Sequence, residues 1–465
     1  MSLLQQYKPF YKANLRLAFP VILSQVGQIT VQLADTAMVG HYGGDDPIPL
    51  AAVSFGSSVF FLVFIAAMGI SFGLTPLVGE HFAKGNSGHC KTLLQNGIVL
   101  YGIIGILTTF ILMAIRPAIG LIGQFMLQDS DDSSINDVIS LSLPYYDTLV
   151  WGMFPMMIFY AIKQFLEGVG NTRIAMIVII TSNLLNIFLN WLLIFGRLGF
   201  EEMGAVGAGW ATLISRVVMC FSICLYFFLT PQFKAYTQGI LSRSLLRIRI
   251  CWNLLQLGVP IAFQMFMESL AFVAANIVVL IFGATAVSAY QIGTNMMNLT
   301  FMIVIAIGSA TTILCSHIYG RRDFGNLRKT TRAAYQMGLC WVLSVATMYV
   351  IFRTAIPALF TTNQQVIELA SGMLVVIALF QVSDCLQALS ISILRGLQDV
   401  KIIIPIVFLA YLVITIPAGW LFAFELDMGP IGLIVALTLG LSTVALCTIL
   451  RANRTIKRLE KEIGN

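Results

Sequence analysis

Residues 166–173 read LEGVGNTR and residues 394–401 read LRGLQDVK, each ending a long apolar run with Leu, a charged residue and Gly. Gly168 and Gly396 stand 228 apart, and matching pairs flank them on both sides. Leu17-Ala18-Phe19-Pro20 is answered by Leu257-Gly258-Val259-Pro260, Gly56 and Gly69 by Gly293 and Gly308, and Gly204 and Gly207 by Gly429 and Gly432. The order is kept throughout, while the offset drifts from 240 to 225. Gly and Pro are common in membrane helices, but an ordered series of such pairs marks a duplicated chain.

Working outward from this pair, apolar segments fall near 14–39, 50–77, 92–115, 139–163, 173–196 and 205–229 in the first half. Six more fall near 254–282, 286–314, 334–356, 366–392, 402–424 and 428–450. A helix needs about 20 apolar residues to cross a bilayer, so the chain is predicted to cross twelve times. Composition agrees. Of 465 residues, 58% are apolar and 10% charged, against roughly 25% charged in a soluble domain. A soluble globule of this size could not cover its surface with so few charges. The predicted fold is an all-α integral membrane protein of twelve transmembrane helices in two six-helix lobes. Because six is even, the lobes are parallel repeats around a central cleft. The lobes are predicted over 1–230 and 251–465, joined by a cytoplasmic linker at 231–250 and followed by a short basic tail.

The basic residues support this topology. With both termini in the cytoplasm, 23 of the 27 Lys and Arg lie on the inner side, in the N-terminus, the even-numbered connections and the tail. Such segregation is the positive-inside pattern. Arg116, Arg197 and Arg353 fall outside it and Arg216 lies within a span. No basic cluster suits nucleic acid. The eight Cys and four His show neither zinc spacing nor a disulfide framework. The N-terminus lacks a short apolar core with a small-residue cleavage site, so the first span is expected to be retained.

Among the acids inside apolar segments, Asp35, Glu268 and Asp384 are the candidate functional ones. A carboxylate at bilayer depth costs roughly 3 kcal/mol or more, so it faces protein or a water-filled cavity and marks an ion or proton path. None has an acidic partner in the other half, since Ala275, Gln28 and Met156 stand at the equivalent places. Asp35 lies near the far end of its span, where it could also cap or snorkel. Neither segment holding Glu268 and Asp384 offers a Lys or Arg, so replacing either acid by its amide is expected to spare folding. Asn183, Asn186 and Asn190 are spaced three and four apart and line one helix face. Their amides could serve as hard-oxygen ligands or as interhelical hydrogen bonds.

These stretches together resemble the multidrug and toxic compound extrusion (MATE) transporters, and among them the bacterial sodium-coupled branch. The resemblance is carried by RLAFPVIL (16–23), DTAMVGHYG (35–43), LAAVSFGSS (50–58), FLEGVGNTR (165–173), NIFLNW (186–191), GAVGAGWATLIS (204–215), AYQIGTNMMN (289–298) and ILRGLQDVK (393–401). It implies a cation site at Glu268 and Asp384 that takes Na+, and an N-lobe polar site of Asp35 with Asn186, Asn190 and Thr212, which Asn183 extends. It also implies a substrate cavity lined by Ser58 and Gln291 together with the three acids. Two places depart from the family pattern. GGDDPIP (43–49) lengthens the first outer loop, and Phe380 stands where some members carry Tyr.

The expected function is secondary active export of small lipophilic, mostly cationic compounds in exchange for Na+ or H+ by alternating access. The setting is the bacterial inner membrane, where the chain is expected to act as a monomer amid lipid. No enzyme activity and no cofactor are expected, because no nucleophile, base or metal cluster accompanies the acids. Two carboxylates in one lobe suit a hard cation better than a proton, although a pair of acids can also share one proton. A lipid or polysaccharide-precursor flippase of the same architecture is the alternative. It would need basic residues in its cavity for phosphate, and Arg216 is the one intramembrane base apparent in the sequence.

Overall fold

The computed structural model describes residues 3–44, 46, 48–127, 134–240, 242 and 246–464. Asp45 and Pro47 of the first outer loop and Arg243 of the linker lie outside them. Among the described residues, twelve helical spans are long and apolar enough to cross a membrane. They are α1 (Gln5–Gly43), α2 (Ile48–Ala83), α3 (Ser87–Ile119), α4 (Asn136–Gly168), α5 (Arg173–Ile194), α6 (Gly204–Leu229), α7 (Ile248–Phe282), α8 (Ala284–Arg321), α9 (Phe324–Ile351), α10 (Gln364–Gly396), α11 (Ile403–Glu425) and α12 (Pro430–Glu462). Each apolar segment of the sequence coincides with one of them. Helix is the expected form because lipid offers no partner to a backbone N–H or C=O.

Helix breakers are absorbed locally. Pro20 and Pro260 sit inside unbroken helices, whereas α2 is interrupted at 72–73 and α4 at Gly152. Pro417 in α11 lacks an N–H, and its ring would press on the carbonyl four residues back. The helix widens on both sides into π turns, Leu409–Thr415 and Leu421–Glu425. The Thr415 hydroxyl donates to the Ala410 carbonyl, five residues back, at 2.9 Å.

The chain forms two compact units, one of Leu23–Val78 and Asn86–Gly258, the other of Met1–Ile22, Gly79–Gly85 and Val259–Asn465. In the first-half unit α4 packs on α2, α3 and α6, and α5 on α6; in the second-half unit α10 packs on α8, α9 and α12, and α11 on α12. The pairing scheme is the same twice. The Thr75 hydroxyl on α2 donates to the Gln164 carbonyl on α4 at 3.0 Å, and Thr312 on α8 donates to the Ser392 carbonyl on α10 at 2.9 Å. A Cβ at Gly168 would lie 3.0 Å from the Thr75 carbonyl oxygen, and one at Gly396 would lie 2.7 Å from that of Thr312. Small residues let the helix backbones approach at these two places.

Both central helices also end alike. Gly170 and Gln398 take left-handed φ values of 82° and 60°. The N–H groups of Asn171 and Asp399 then return to the carbonyls of Leu166 and Leu394 at 2.8 and 2.9 Å. The duplication read from two octapeptides is thus written into the backbone.

Candidate functional site

Two polar clusters lie inside the apolar spans, one in each unit. In the first-half unit α1 carries Asp35, α5 carries Asn186 and Asn190, and α6 carries Thr212. Asn190 donates through Nδ2 to the Asp35 carboxylate and to Asn186 Oδ1 at 3.1 Å. Asn186 Nδ2 reaches the Thr212 hydroxyl at 3.5 Å. Asn190 is fully buried, and its Oδ1 accepts no hydrogen bond among the described residues. The cluster therefore joins a carboxylate to an amide oxygen with unused acceptor capacity. Asn183 shares the helix face but stands apart, with its Nδ2 against Gly27 of α1.

In the second-half unit Glu268 projects from α7. Gln264, one turn earlier, donates to its Oε2, and Gln387 of α10 does so at 3.4 Å while also reaching the Tyr411 hydroxyl of α11 at 3.3 Å. Arg395, near the end of α10, donates through Nη2 to Gln264 Oε1 at 2.6 Å. Gln264 thus relays a guanidinium to a carboxylate, which fixes the direction of its amide. Asp384 is 5% exposed, lies within Coulombic reach of Glu268, and accepts no hydrogen bond from the described residues. Gln381 and Gln387, three residues before and after it, share its helix face. Each spends its N–H on a neighbour and leaves Oε1 without a partner. The second-half unit therefore gathers two carboxylates and two unsatisfied amide oxygens. Oxygens of this type bind hard cations.

Arg395 corrects an expectation. The segments near 254–282 and 366–392 hold no Lys or Arg, so no base was expected to serve the two acids. The helix instead runs to Gly396 and turns the side chain inward. Lys163, at the end of the segment near 139–163, is 16% exposed and pairs with Glu167 at 2.9 Å. Among the described residues, Arg216 is thus one of three bases that turn inward within the helical spans, with Lys163 and Arg395. Phe380 is buried and packs edge-on against Phe272 at 6.1 Å, so that position supplies no oxygen.

Ser58 and Gln291 are exposed and join neither cluster. Ser58 turns its hydroxyl back to the Ser54 carbonyl at 2.8 Å. The residues missed from sequence are Gln264, Gln381, Gln387, Arg395 and Tyr411. The spacing of QVSDCLQ (381–387) would have revealed two of them. Tyr411 also forms one wall of an apolar cavity of about 240 Å³ between α7, α11 and α12, where Met267, Ala271, Thr415 and Trp420 face it. Among the described residues no three His, Cys, Asp or Glu come together as a metal cluster.

Comparison with known proteins agrees with this architecture. The chain is 28% identical over 460 residues to Multidrug resistance protein NorM of Photobacterium profundum, covering 96% of each. It is 29% identical over 455 residues to Multidrug resistance protein MdtK of Pectobacterium atrosepticum, again covering 96% of each. Among solved structures, a MOP superfamily transporter from Pyrococcus furiosus superposes with a TM-score of 0.84 at 22% identity over 97% of both chains. A MATE transporter of Vibrio cholerae does so with 0.84 at 20% over 98% of both. These two likenesses carry the fold. The sequence profile of the MatE family matches residues 20–192 and 260–421, across both halves of the duplication, and the chain belongs to that family, the MATE transporters.

Proposed function

We propose that this protein is a secondary antiporter that exports lipophilic, mostly cationic compounds from a bacterial cell across the inner membrane in exchange for Na+, with both termini in the cytoplasm. What supports this reading is the pair of carboxylates, Glu268 and Asp384, in one unit with the unpartnered amide oxygens of Gln381 and Gln387, which share a helix face with Asp384. With Glu268 and Asp384 ionised and Arg395 charged, the second-half cluster holds one net negative charge. A buried uncompensated charge is costly, and one monovalent cation removes it. Na+ and a lipophilic cation would compete for this charge, which is the condition for exchange. Na+ binding drives transport only if it favours one conformation of the cycle over the other. Of the inward-facing bases, Lys163 is paired with Glu167 and Arg395 is tied to Glu268 through Gln264, which argues against a phosphate-bearing substrate. The names of the NorM and MdtK relatives support drug export.

The test is ethidium efflux from membrane vesicles under separately imposed gradients. A Na+ gradient at fixed pH should drive efflux, and Asp384→Asn should lose the Na+ dependence. Efflux at full rate without Na+ that collapses with the pH gradient would instead assign proton coupling, with Asp35, Asn186 and Asn190 as the carrier site.

A further inference from the structure

The chain between α6 and α7 is strapped to the first-half unit. Phe233 is 2% exposed and stacks on Phe227 with 4.9 Å between ring centroids, and Tyr236 stands edge-on to Phe165 at 5.2 Å. Lys91 of α3 donates through Nζ to the Gln238 carbonyl. One turn further along α3, Gln95 Nε2 donates to the Ser242 carbonyl at 3.0 Å, and Asn96 Oδ1 accepts the backbone N–H of Arg247 at 2.9 Å. Five residues of helix rise about 7.5 Å, so Lys91 and Asn96 hold both ends of this strap to one short length of α3. The strap is basic and uncompensated. Residues 203–267 contain no acid, and among the described residues Lys91, Lys234, Arg247 and Arg249 take part in none of the ion pairs. Lys234, Arg247 and Arg249 are exposed.

Apolar side chains stand among these charges. Leu246, Ile248 and Trp252 are 44%, 88% and 60% exposed. Ile248 and Arg249 precede Trp252 by four and three residues in the first turns of α7, so the three share a face, while Ile250 and Leu254 belong to the first-half core. A guanidinium suits a phosphate, and Trp at the end of a spanning helix suits the membrane interface.

We propose that the end of the strap and the start of α7 form a site for an anionic phospholipid, with its phosphate at Arg247 and Arg249 and the upper part of an acyl chain along Ile248 and Trp252. The unpaired positive charge selects a headgroup with net negative charge over a zwitterionic one. The apolar face distinguishes a lipid from a bare anion.

Brominated lipids quench Trp fluorescence on contact, so purified full-length protein in neutral detergent is titrated with brominated phosphatidylglycerol or brominated phosphatidylcholine. Wild type should be quenched at a several-fold lower mole fraction of the first, and Trp252→Phe, which removes one Trp of six, should erase that difference. Arg247→Gln with Arg249→Gln should weaken phosphatidylglycerol by about fivefold per charge removed and spare phosphatidylcholine, whereas Arg247→Lys with Arg249→Lys should keep most of the preference. Arg454→Gln with Lys457→Gln, which removes two exposed bases of the tail, should leave it unchanged. Equal quenching by both lipids in wild type, a preference that survives the double Gln variant, or one lost equally with the tail bases would overturn the site. Release of phosphatidylglycerol by an equal concentration of inorganic phosphate would also overturn it, in favour of a simple anion site.

Discussion

Glu268 and Asp384 are both carboxylates in the membrane interior, yet they differ in company. Glu268 is held by Gln264 and Gln387 and answers Arg395 through the first of these, while Asp384 is left open. Glu268→Gln should therefore remove the carboxylate that accepts from Gln264 and Gln387 and that lies opposite the Arg395 charge, and losing one partner of a charged hydrogen bond costs about 1–3 kcal/mol. Asp384→Asn strands nothing. In thermal unfolding of purified protein we expect Glu268→Gln to fall several degrees below Asp384→Asn, and Glu268→Gln with Arg395→Gln to recover most of the difference. Equal stability of the single variants would mean that the relay carries no weight. The acids were legible in the sequence because charge inside an apolar run is expensive. Their amides were not: Gln264, Gln381 and Gln387 cost less to bury, and nothing in one strand of sequence tells which carbonyl or carboxylate each will meet. Arg395 was misread because a base beside a turn has the same signature whether it faces water or folds back along its helix.

At the level of elements, the helices and their duplication were readable and their ends were not. Hydropathy falls off where a helix leaves lipid, but hydrogen bonding continues, so α8 runs on to Arg321 and α12 to Glu462. The π turns of α11 left no trace in hydropathy, which does not register helical pitch, although Pro417 marked the place. A helix end also supplies a pH-dependent contact. Asp399, just past α10, is partly buried, which raises its pKa. Hydrogen bonds from Arg451 and Thr455 of α12 and the nearby charge of Arg458 outweigh this and hold it below the usual carboxylate range. The Arg451 fork is bidentate, at 2.7 and 2.9 Å. A depressed pKa gives stability that is present above the unfolded value, about 4, and fades as pH falls through the folded one. Wild type and Asp399→Asn should thus differ in melting temperature at neutral pH and converge in acid. A constant difference from pH 7 down to about 3 would discard the clamp.

For the whole molecule, the two halves share a scaffold and divide the charges. One unit is balanced by Asp35 and Arg216, and the other is left one positive charge short by Glu268, Asp384 and Arg395. The proposed sidedness follows from the basic residues and can be read directly. In a cysteine-free background, Glu201→Cys and Glu425→Cys should react with an impermeant thiol reagent added outside intact cells, and Ser87→Cys and Lys401→Cys should not; the reverse pattern would invert the topology. All four positions are exposed. The widened turns of α11 then take on a mechanical meaning. A π turn is a helix carrying one residue more than its hydrogen-bond ladder needs, and such a surplus can pass along the helix by exchanging one bond at a time. Were the turn at Leu409–Thr415 to move past Tyr411, the ring would swing by about 100°, one residue's rotation, while both ends of the span stayed in place. The hydroxyl would leave Gln387, the wall of the apolar cavity would open, and the proposed cation site would lose a support without a single helix having to unfold.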